Sequence, residues 1–313
     1  MNRRTMTATL ALLAATGGRA GAQAARTPMI GAPNTSVDQV IFYYAQQAGI
    51  FARAGLDVTA APAPSGSSSL LAVVGGAANV GFSNSFSLSI AHAKGIPVVM
   101  IAAGALYDTN APLAKVLVAP DSPIRTAKDL EGRTVAVAGL HDLLSLATTA
   151  WLVQGGADPA RVRFVEMPAG TMLAALQAKR ADAIALYQPF LYTAESAGLR
   201  ALGKQYDAIA PEFAAGLWFA STSWANEHRD ATLRFAAALR EASVYVNAHF
   251  DSLLAMAAAF TKIDVETLRK MPPPRFPPAL TAASIQPVID TAAKYHELPA
   301  AFRAQEMIFA GLT

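Results

Sequence analysis

Three short polar turns carry the residues best suited to hold a small ligand. They are Asn34-Thr35-Ser36, Gly66-Ser67-Ser68 and Asn84-Ser85. Hydroxyl and amide side chains beside free backbone N–H groups bind negative or strongly polar groups, above all where a turn opens a helix. The same residue types are also ordinary helix caps, so each turn alone is open to both interpretations. Their recurrence at three equivalent places favours ligand binding.

A second set of candidates lies further along the chain. The stretch Gly139-Leu140-His141-Asp142 opens an apolar run, and Asp142 can cap a helix there or orient the neighbouring histidine; both are also compatible with an exposed loop. Thr171 opens another predicted helix, as a cap or as a ligand hydroxyl. Tyr187 and Trp218 stand at predicted strand ends, where they can form an aromatic wall over an organic ligand or pack in the core.

Strand-like and helix-like apolar runs alternate along the chain and must position these candidates. Predicted strands at 29–32, 56–61 and 79–82 precede the three turns, and a second series of strands and helices runs from 134 to 186. This alternation predicts an α/β fold of two lobes, each a mostly parallel sheet flanked by helices. Ligands of such sheets bind beyond the carboxyl ends of the strands, so the three turns are expected to converge.

The chain is expected to leave the first lobe and return to it. Residues 25–118 and 217–313 are assigned to lobe I, and residues 119–216 to lobe II. Two connections between two lobes make a hinge, with the cleft between the lobes as the ligand site.

The N-terminal residues predict an export signal over residues 1–24. Arg3 and Arg4 precede an uncharged run at 5–18 and the small residues Ala22-Gln23-Ala24. The arginine pair is compatible with both the general secretory and the twin-arginine route. Because the chain has no cysteine, it cannot carry a lipid-modified cysteine after cleavage. We therefore expect a periplasmic protein, and we expect it to be a monomer.

Composition and motifs exclude several classes of function. Residues 1–24 hold three of the 25 basic residues and no acidic one, which leaves 22 basic and 22 acidic residues and no excess for a nucleic acid partner. The absence of cysteine excludes thiol catalysis and cysteine-ligated metals. None of the common hydrolase, zinc, dinucleotide or P-loop motifs occurs, and the five histidines lack metal-ligand spacing. We expect no catalytic residue, metal or cofactor.

Several stretches resemble one known family. They are Gly49-Ile50-Phe51 with Gly55-Leu56-Asp57-Val58, the serine-rich turn, residues 75–81, residues 94–98, residues 122–137, and residues 179–183 before Tyr187-Gln188-Pro189. In order and spacing they are similar to the type II periplasmic substrate-binding proteins of ABC importers, in the nitrate/sulfonate/taurine group. The resemblance implies ligand contacts at His141 and in the segment holding Tyr187 and Gln188. The chain departs from the family at Asn79, where aspartate is usual.

The resemblance implies a protein that captures a small ligand, closes around it and delivers it to an ABC permease. The loops expected to line the cleft contain no lysine or arginine, which favours a small organic ligand such as a carboxylate, a sulfonate or an aromatic heterocycle over a small inorganic anion. Two alternatives stay open. One is an enzyme of the same fold that acts on a small aromatic or heterocyclic metabolite, and the other is a sensor subunit that presents a ligand to a membrane receptor.

Overall fold

A computed structural model describes residues 26–312, and the predicted leader at 1–24 lies outside them. The strands are β1 (Thr27–Ala32), β2 (Leu56–Ala60), β3 (Val80–Asn84), β4 (Val98–Ala103), β5 (Leu106–Asp108), β6 (Ala114–Val118), β7 (Thr134–Val137), β8 (Arg163–Glu166), β9 (Ala183–Tyr187), β10 (Arg200–Gly203), β11 (Glu212–Ala214) and β12 (Gly216–Ser221). The α-helices are α1 (Val40–Gln47), α2 (Ile50–Arg53), α3 (Gly66–Val74), α4 (Ser85–Ala93), α5 (Leu143–Gln154), α6 (Ala169–Gln177), α7 (Phe190–Ser196), α8 (Thr222–Glu227), α9 (Arg229–His249), α10 (Leu254–Thr261), α11 (Val265–Lys270) and α12 (Ala282–Lys294).

The strands form two five-stranded sheets of the same kind. The first has the order β2-β1-β3-β12-β4, and the second has the order β10-β6-β9-β7-β8. In each sheet one strand, β12 or β6, runs against the other four. Helices flank both sheets, so the predicted α/β fold with mostly parallel sheets is confirmed.

One boundary drawn from the sequence is wrong. Residues 114–118 were expected in the first lobe, but β6 pairs with β9 and β10 and so belongs to the second sheet. An apolar run of strand length indicates a strand without indicating its partner, because strand pairing is a long-range choice. The chain therefore crosses between the sheets before residue 114.

The apolar periodicity of residues 37–54 predicts a single helix, which the structure divides into three parts. A 3₁₀ turn at Val37–Gln39 leads into α1, and α2 follows after Gly49. Gly49 has a φ of 68°, in the left-handed region where a residue with a Cβ is strained. The glycine thus ends α1 and redirects the chain, although the apolar periodicity continues through it.

The two crossings between the sheets run side by side. Gly104 donates a backbone hydrogen bond to Gly216 (3.0 Å), and Gly216 donates one to Ala105 (3.1 Å). Just beyond, β5 and β11 pair as a two-stranded antiparallel ribbon. Tyr107 of β5 packs against Phe213 of β11, with ring centroids 5.2 Å apart. The ribbon therefore has a buried aromatic core of its own.

The main core of the first sheet is aromatic. Trp218 stacks on Phe42 with centroids 5.0 Å apart, and it meets the edges of Phe82 and Phe235. These rings join α1 and α9 to one face of the sheet, and burying side chains of this size is the largest favourable contribution to folding. Within residues 26–312 no helix combines the length and the apolarity needed to cross a bilayer.

We predict that Gly104→Ala destabilises the protein by about 1–3 kcal/mol, the usual effect of overpacking a filled site. A Cβ at residue 104 would lie 2.4 Å from the Phe82 ring and 2.8 Å from the Gly216 carbonyl oxygen. The matched control is Gly170→Ala in α6, where the nearest atom is 3.4 Å away and alanine favours the helix. Urea unfolding of both variants provides the measurement. Equal stability of the two variants would contradict the close approach at the crossing.

Candidate functional site

The three polar turns of the first sheet lie at one edge. Strands β1, β2 and β3 are parallel and lead directly into residues 33–36, the start of α3 and the start of α4. The hydroxyl of Ser69 in α3 donates to the Ala32 carbonyl (3.0 Å) and accepts from the Phe82 amide (3.0 Å). This one side chain therefore ties α3 to the end of β1 and to the middle of β3, and so brings these elements together.

The start of α3 packs closely on the end of β3. A Cβ at Gly66 would lie 2.4 Å from the Ser83 hydroxyl, so only glycine permits this approach. The helix is capped by Ser65, whose hydroxyl accepts from the Ser68 amide (3.1 Å), while Ser67 is exposed. Of the three predicted residues, Gly66 thus allows the packing and Ser68 belongs to the cap.

Two hydroxyls at this edge are buried without a hydrogen-bond partner. They are Ser83 Oγ and Ser85 Oγ, at the end of β3 and the start of α4. Asn84 between them caps α4 by accepting from the Ser87 amide (2.7 Å). A buried hydroxyl without a partner costs on the order of 1–3 kcal/mol, so such groups mark positions where a ligand can supply the missing bond.

The turn after β1 forms a polar network that includes two residues not anticipated from the sequence. Asn34 Oδ1 accepts from the Ser36 amide (2.9 Å) and from the Ser36 hydroxyl, while Thr35 is exposed. The Ser36 hydroxyl also contacts Asp38 Oδ1, which accepts from Gln39 Nε2 (3.0 Å). Burial raises the pKa of Asp38, and the hydrogen bonds from Ser36 and Gln39 oppose this only in part.

Asp142 occupies the matching position on the second sheet. It caps α5, accepting from the Ser145 amide (2.8 Å), and the Ser145 hydroxyl completes a capping box. Of the alternatives open for Asp142, the structure shows the helix cap, and its contact with a ligand stays a prediction. Burial raises the pKa of Asp142 to about 6, its cap bonds lower it, and the nearby Glu166 adds to the rise. This carboxylate is thus held in a poorly solvated place beside the end of β7.

The neighbouring His141 makes a contact of a different kind. Its Nδ1 lies 3.1 Å from Glu297 Oε2, in the segment after α12, and 76% of the His141 side chain is exposed. This contact joins the β7–α5 loop to the C-terminal part of the chain. The ligand contact predicted for His141 stays a prediction.

The remaining candidates of the second sheet lie at the ends of β8 and β9. Tyr187 ends β9 and is 36% exposed, with its ring at right angles to that of Phe190. Gln188 Oε1 accepts from the Tyr192 amide (3.2 Å), and the Thr171 hydroxyl donates to the Pro168 carbonyl (2.7 Å). Tyr187 alone of these three presents a large surface suited to an organic ligand.

Of the two alternatives for Trp218, the structure shows core packing, and its assignment to the ligand site is wrong. Its side chain is fully buried among Phe42, Phe82 and Phe235, so it is core and cannot form the wall of an open cleft. The cause is the alternation of side chains along β12, which turns this ring toward the helices that cover the sheet. A strand end identified from sequence does not reveal which face of the sheet its residues occupy.

The Tyr187 hydroxyl interacts electrostatically with carboxylates that follow strands of both sheets. Burial raises the pKa of its hydroxyl first, and the carboxylates of Asp142 and Asp38 raise it further. Asp38 follows the first strand of the first sheet and Asp142 follows β7 of the second, so one phenol lies within electrostatic reach of both edges. Asp38, Gln39 and Ser83 are the residues of this site that the sequence did not indicate.

Two surface grooves lie elsewhere. One, of about 420 Å³, lies between α1 and α10, and the other, of about 580 Å³, lies beside α9 and Pro277. No predicted site residue lines either groove. In the described part of the chain, no cluster of three or more histidine or acidic side chains is placed to hold a metal ion.

Comparison with known proteins decides the family. The family model described as "NMT1/THI5 like" matches residues 36–252, which is more than half of the chain. This chain belongs to the NMT1/THI5-like family. The match begins at Ser36 and ends just beyond α9, so it includes every candidate site residue except Asn34 and Thr35. None of the curated protein sequences matches the chain.

Solved structures similar to this NMT1/THI5-like protein share its fold. The aliphatic sulphonate binding protein SsuA of Escherichia coli is 19% identical with a TM-score of 0.75, covering 90% of this chain and 92% of that one. The alkanesulfonate-binding protein SsuA of Xanthomonas axonopodis pv. citri, bound to MOPS, is 18% identical with a TM-score of 0.72, covering 91% and 98%. The desulfurization enzyme DSZB is 14% identical with a TM-score of 0.64, covering 92% and 97%. The fold is therefore that of the periplasmic binding proteins.

We predict that Asp142→Asn stabilises this NMT1/THI5-like protein at neutral pH while preserving the α5 cap. The folded protein holds a proton on Asp142 up to a pKa of about 6, whereas the unfolded chain releases it near 4, so the wild type loses stability as pH rises between these values. The advantage of the variant should grow across this window to about 1–3 kcal/mol and then stay constant. Denaturant unfolding from pH 3.5 to 8 measures it. An advantage that does not change with pH would contradict the burial of this carboxylate.

Proposed function

We propose that this protein is an extracytoplasmic solute-binding protein that captures a small organic ligand between its two sheets. The sheets act as lobes, the paired crossings of β5 and β11 act as the hinge, and closure presents the loaded protein to the permease of an ABC importer. The protein works as a monomer in the periplasm, freed from its leader, and catalyses no reaction. Sulfonates, carboxylates and aromatic heterocycles are the ligand classes considered.

The observation that carries this proposal is the pair of buried hydroxyls without partners at the end of β3. Ser83 Oγ lies beside Gly66 at the start of α3, and Ser85 Oγ lies two residues further along, at the start of α4. Tyr187, within electrostatic reach of Asp38 and Asp142, supports a site shared by both sheets. Each hydrogen bond to a charged ligand group contributes on the order of 1.5–3 kcal/mol, so a few such contacts suffice for micromolar binding.

The fold shared with transport proteins supports the capture role, because two of the similar structures are named as sulfonate-binding proteins. The similarity to DSZB supports a second candidate, an enzyme of the same fold. Incubating the purified protein with its bound ligand and following ligand and products by mass spectrometry separates the two. Turnover of the ligand would replace the capture role with the enzymatic one.

Identifying the ligand is the direct test of capture. Mass spectrometry of small molecules released from the purified protein by mild denaturation, followed by thermal-shift titration of each one, should yield a ligand that stabilises the fold. Saturation at about 100 times Kd corresponds to roughly 2.7 kcal/mol of stabilisation. Small-angle scattering should show a more compact protein with the ligand. Failure of a broad set of sulfonates, carboxylates and heterocycles to shift the melting temperature would contradict capture.

We predict that the double variant Ser83→Ala/Ser85→Ala loses at least about tenfold in ligand affinity without losing stability. Its hydroxyls have no partner in the free protein, so their removal relieves a desolvation cost instead of breaking a bond. The matched control is Ser89→Ala, also buried on α4, whose hydroxyl donates to the Ser85 carbonyl (2.8 Å). The control should lose about 1 kcal/mol of stability and bind normally. Calorimetry and thermal unfolding of both variants measure the contrast. Unchanged affinity in the double variant would assign Ser83 and Ser85 to packing alone.

A further inference from the structure

The charged groups within electrostatic reach of the Tyr187 hydroxyl are two carboxylates, Asp142 and Asp38. Asp38 is hydrogen-bonded to Gln39 in the turn after β1, and Asp142, before α5, lies near Glu166 at the end of β8. The charges of Asp38 and Asp142 both raise the pKa of the Tyr187 hydroxyl, and the charge of Glu166 raises the pKa of Asp142. No lysine, arginine or histidine is among the main groups that shift the pKa values of Asp38, Asp142 and Tyr187.

The ion pairs of the described residues confirm this one-sided charge. None of them involves Asp38 or Asp142, and His141, the basic residue beside Asp142 in sequence, is paired with Glu297 instead. Two carboxylates without a cationic partner in a poorly solvated place repel an anion and attract a cation. A positive charge that balances Asp38 and Asp142 would therefore have to come from a bound ligand.

The hydrogen bond between Asp38 and Gln39 fixes the direction of a further acceptor. Gln39 Nε2 donates to Asp38 Oδ1 (3.0 Å), so the amide oxygen must point away from the carboxylate. The opposite orientation would set that oxygen against the carboxylate, which is unfavourable. Gln39 is fully buried, and its Oε1 has no hydrogen-bond partner. Gln39 Oε1 therefore lacks a donor that the described chain does not provide, and Asp38 beside it has neutral donors but no cationic partner.

We propose that the ligand carries a protonated nitrogen that binds at Asp38, on the side of the cleft faced by Asp142 and Tyr187. This inference rests on the proposed capture function and narrows its ligand class to amines and other cationic nitrogen compounds. The ligand's polar or anionic end, where it has one, lies at Ser83 and Ser85, and its nitrogen lies at Asp38. A sulfonate or carboxylate without such a nitrogen leaves Asp38 and Asp142 without a counter-charge and binds weakly.

The test uses pairs of probes that differ in the cationic nitrogen. Suitable pairs are benzylamine with benzyl alcohol, 3-aminopropionate with propionate, and 4-aminopyridine with pyridine, within a wider set built in the same way. Thermal shift at neutral pH, followed by calorimetry of the strongest probe, should show stabilisation by nitrogen cations and little by their partners. If uncharged or purely anionic members stabilise the protein equally well, this inference is overturned while capture stands. If no member of the set stabilises it, capture fails and the inference fails with it.

Asp38→Asn tests the residue itself. The strongest cationic probe should lose about 10- to 100-fold in affinity, the effect of removing a charged hydrogen-bond acceptor. The free variant should melt no lower than the wild type, because burial disfavours the Asp38 carboxylate in the folded protein. Asp57→Asn, an exposed carboxylate on β2 of the same sheet, is the control and should change neither property. Retained affinity in Asp38→Asn would overturn the assignment.

Discussion

The paired crossing between the two sheets is the constraint on which the rest of this structure depends. Both connections pass through one place, where Gly104 and Gly216 exchange close backbone contacts, and both continue into the β5–β11 ribbon. Because the crossings are hydrogen-bonded to each other, the two connections form one unit between the sheets. Two glycines at the crossing leave room for Phe82, which packs where either Cβ would stand. On either side of the crossing, Asp38 after β1 and Asp142 after β7 both lie within electrostatic reach of Tyr187 at the end of β9.

The polar groups at these strand ends destabilise the ligand-free protein. Ser83 and Ser85 keep hydroxyls without partners, and Asp38 and Asp142 keep carboxylates in places that disfavour charge. Each of these features costs folding free energy, and the aromatic core around Trp218 provides the stability that tolerates them. Proteins commonly hold unsatisfied or poorly solvated groups where a ligand later contacts them. The distribution of these groups is the physical reason for placing the site at the strand ends and not in the surface grooves.

Features that depend on a local signal were predictable from the sequence. The serine and asparagine turns follow β1, β2 and β3 as predicted, and Asp142 caps α5, because capping and turn formation depend on residues a few positions apart. Features that depend on distant partners were not predictable from the sequence. Trp218 faces the core instead of a cleft, and β6 joins the second sheet instead of the first. Asp38 and Gln39 were missed because they begin what the periodicity presents as an ordinary amphipathic helix.

The sequence by itself determined the α/β class, the family and the polar turns at the ends of the strands. These follow from short-range patterns of apolar spacing, glycine and capping residues, which act before any tertiary contact forms. Only the tertiary structure decided that Ser69 hydrogen-bonds to both β1 and β3, and that Gly66 packs against the Ser83 hydroxyl. It also decided that Tyr187 lies within electrostatic reach of carboxylates from both sheets. Burial and electrostatic coupling depend on which segments become neighbours, and that choice belongs to the packing of the whole chain.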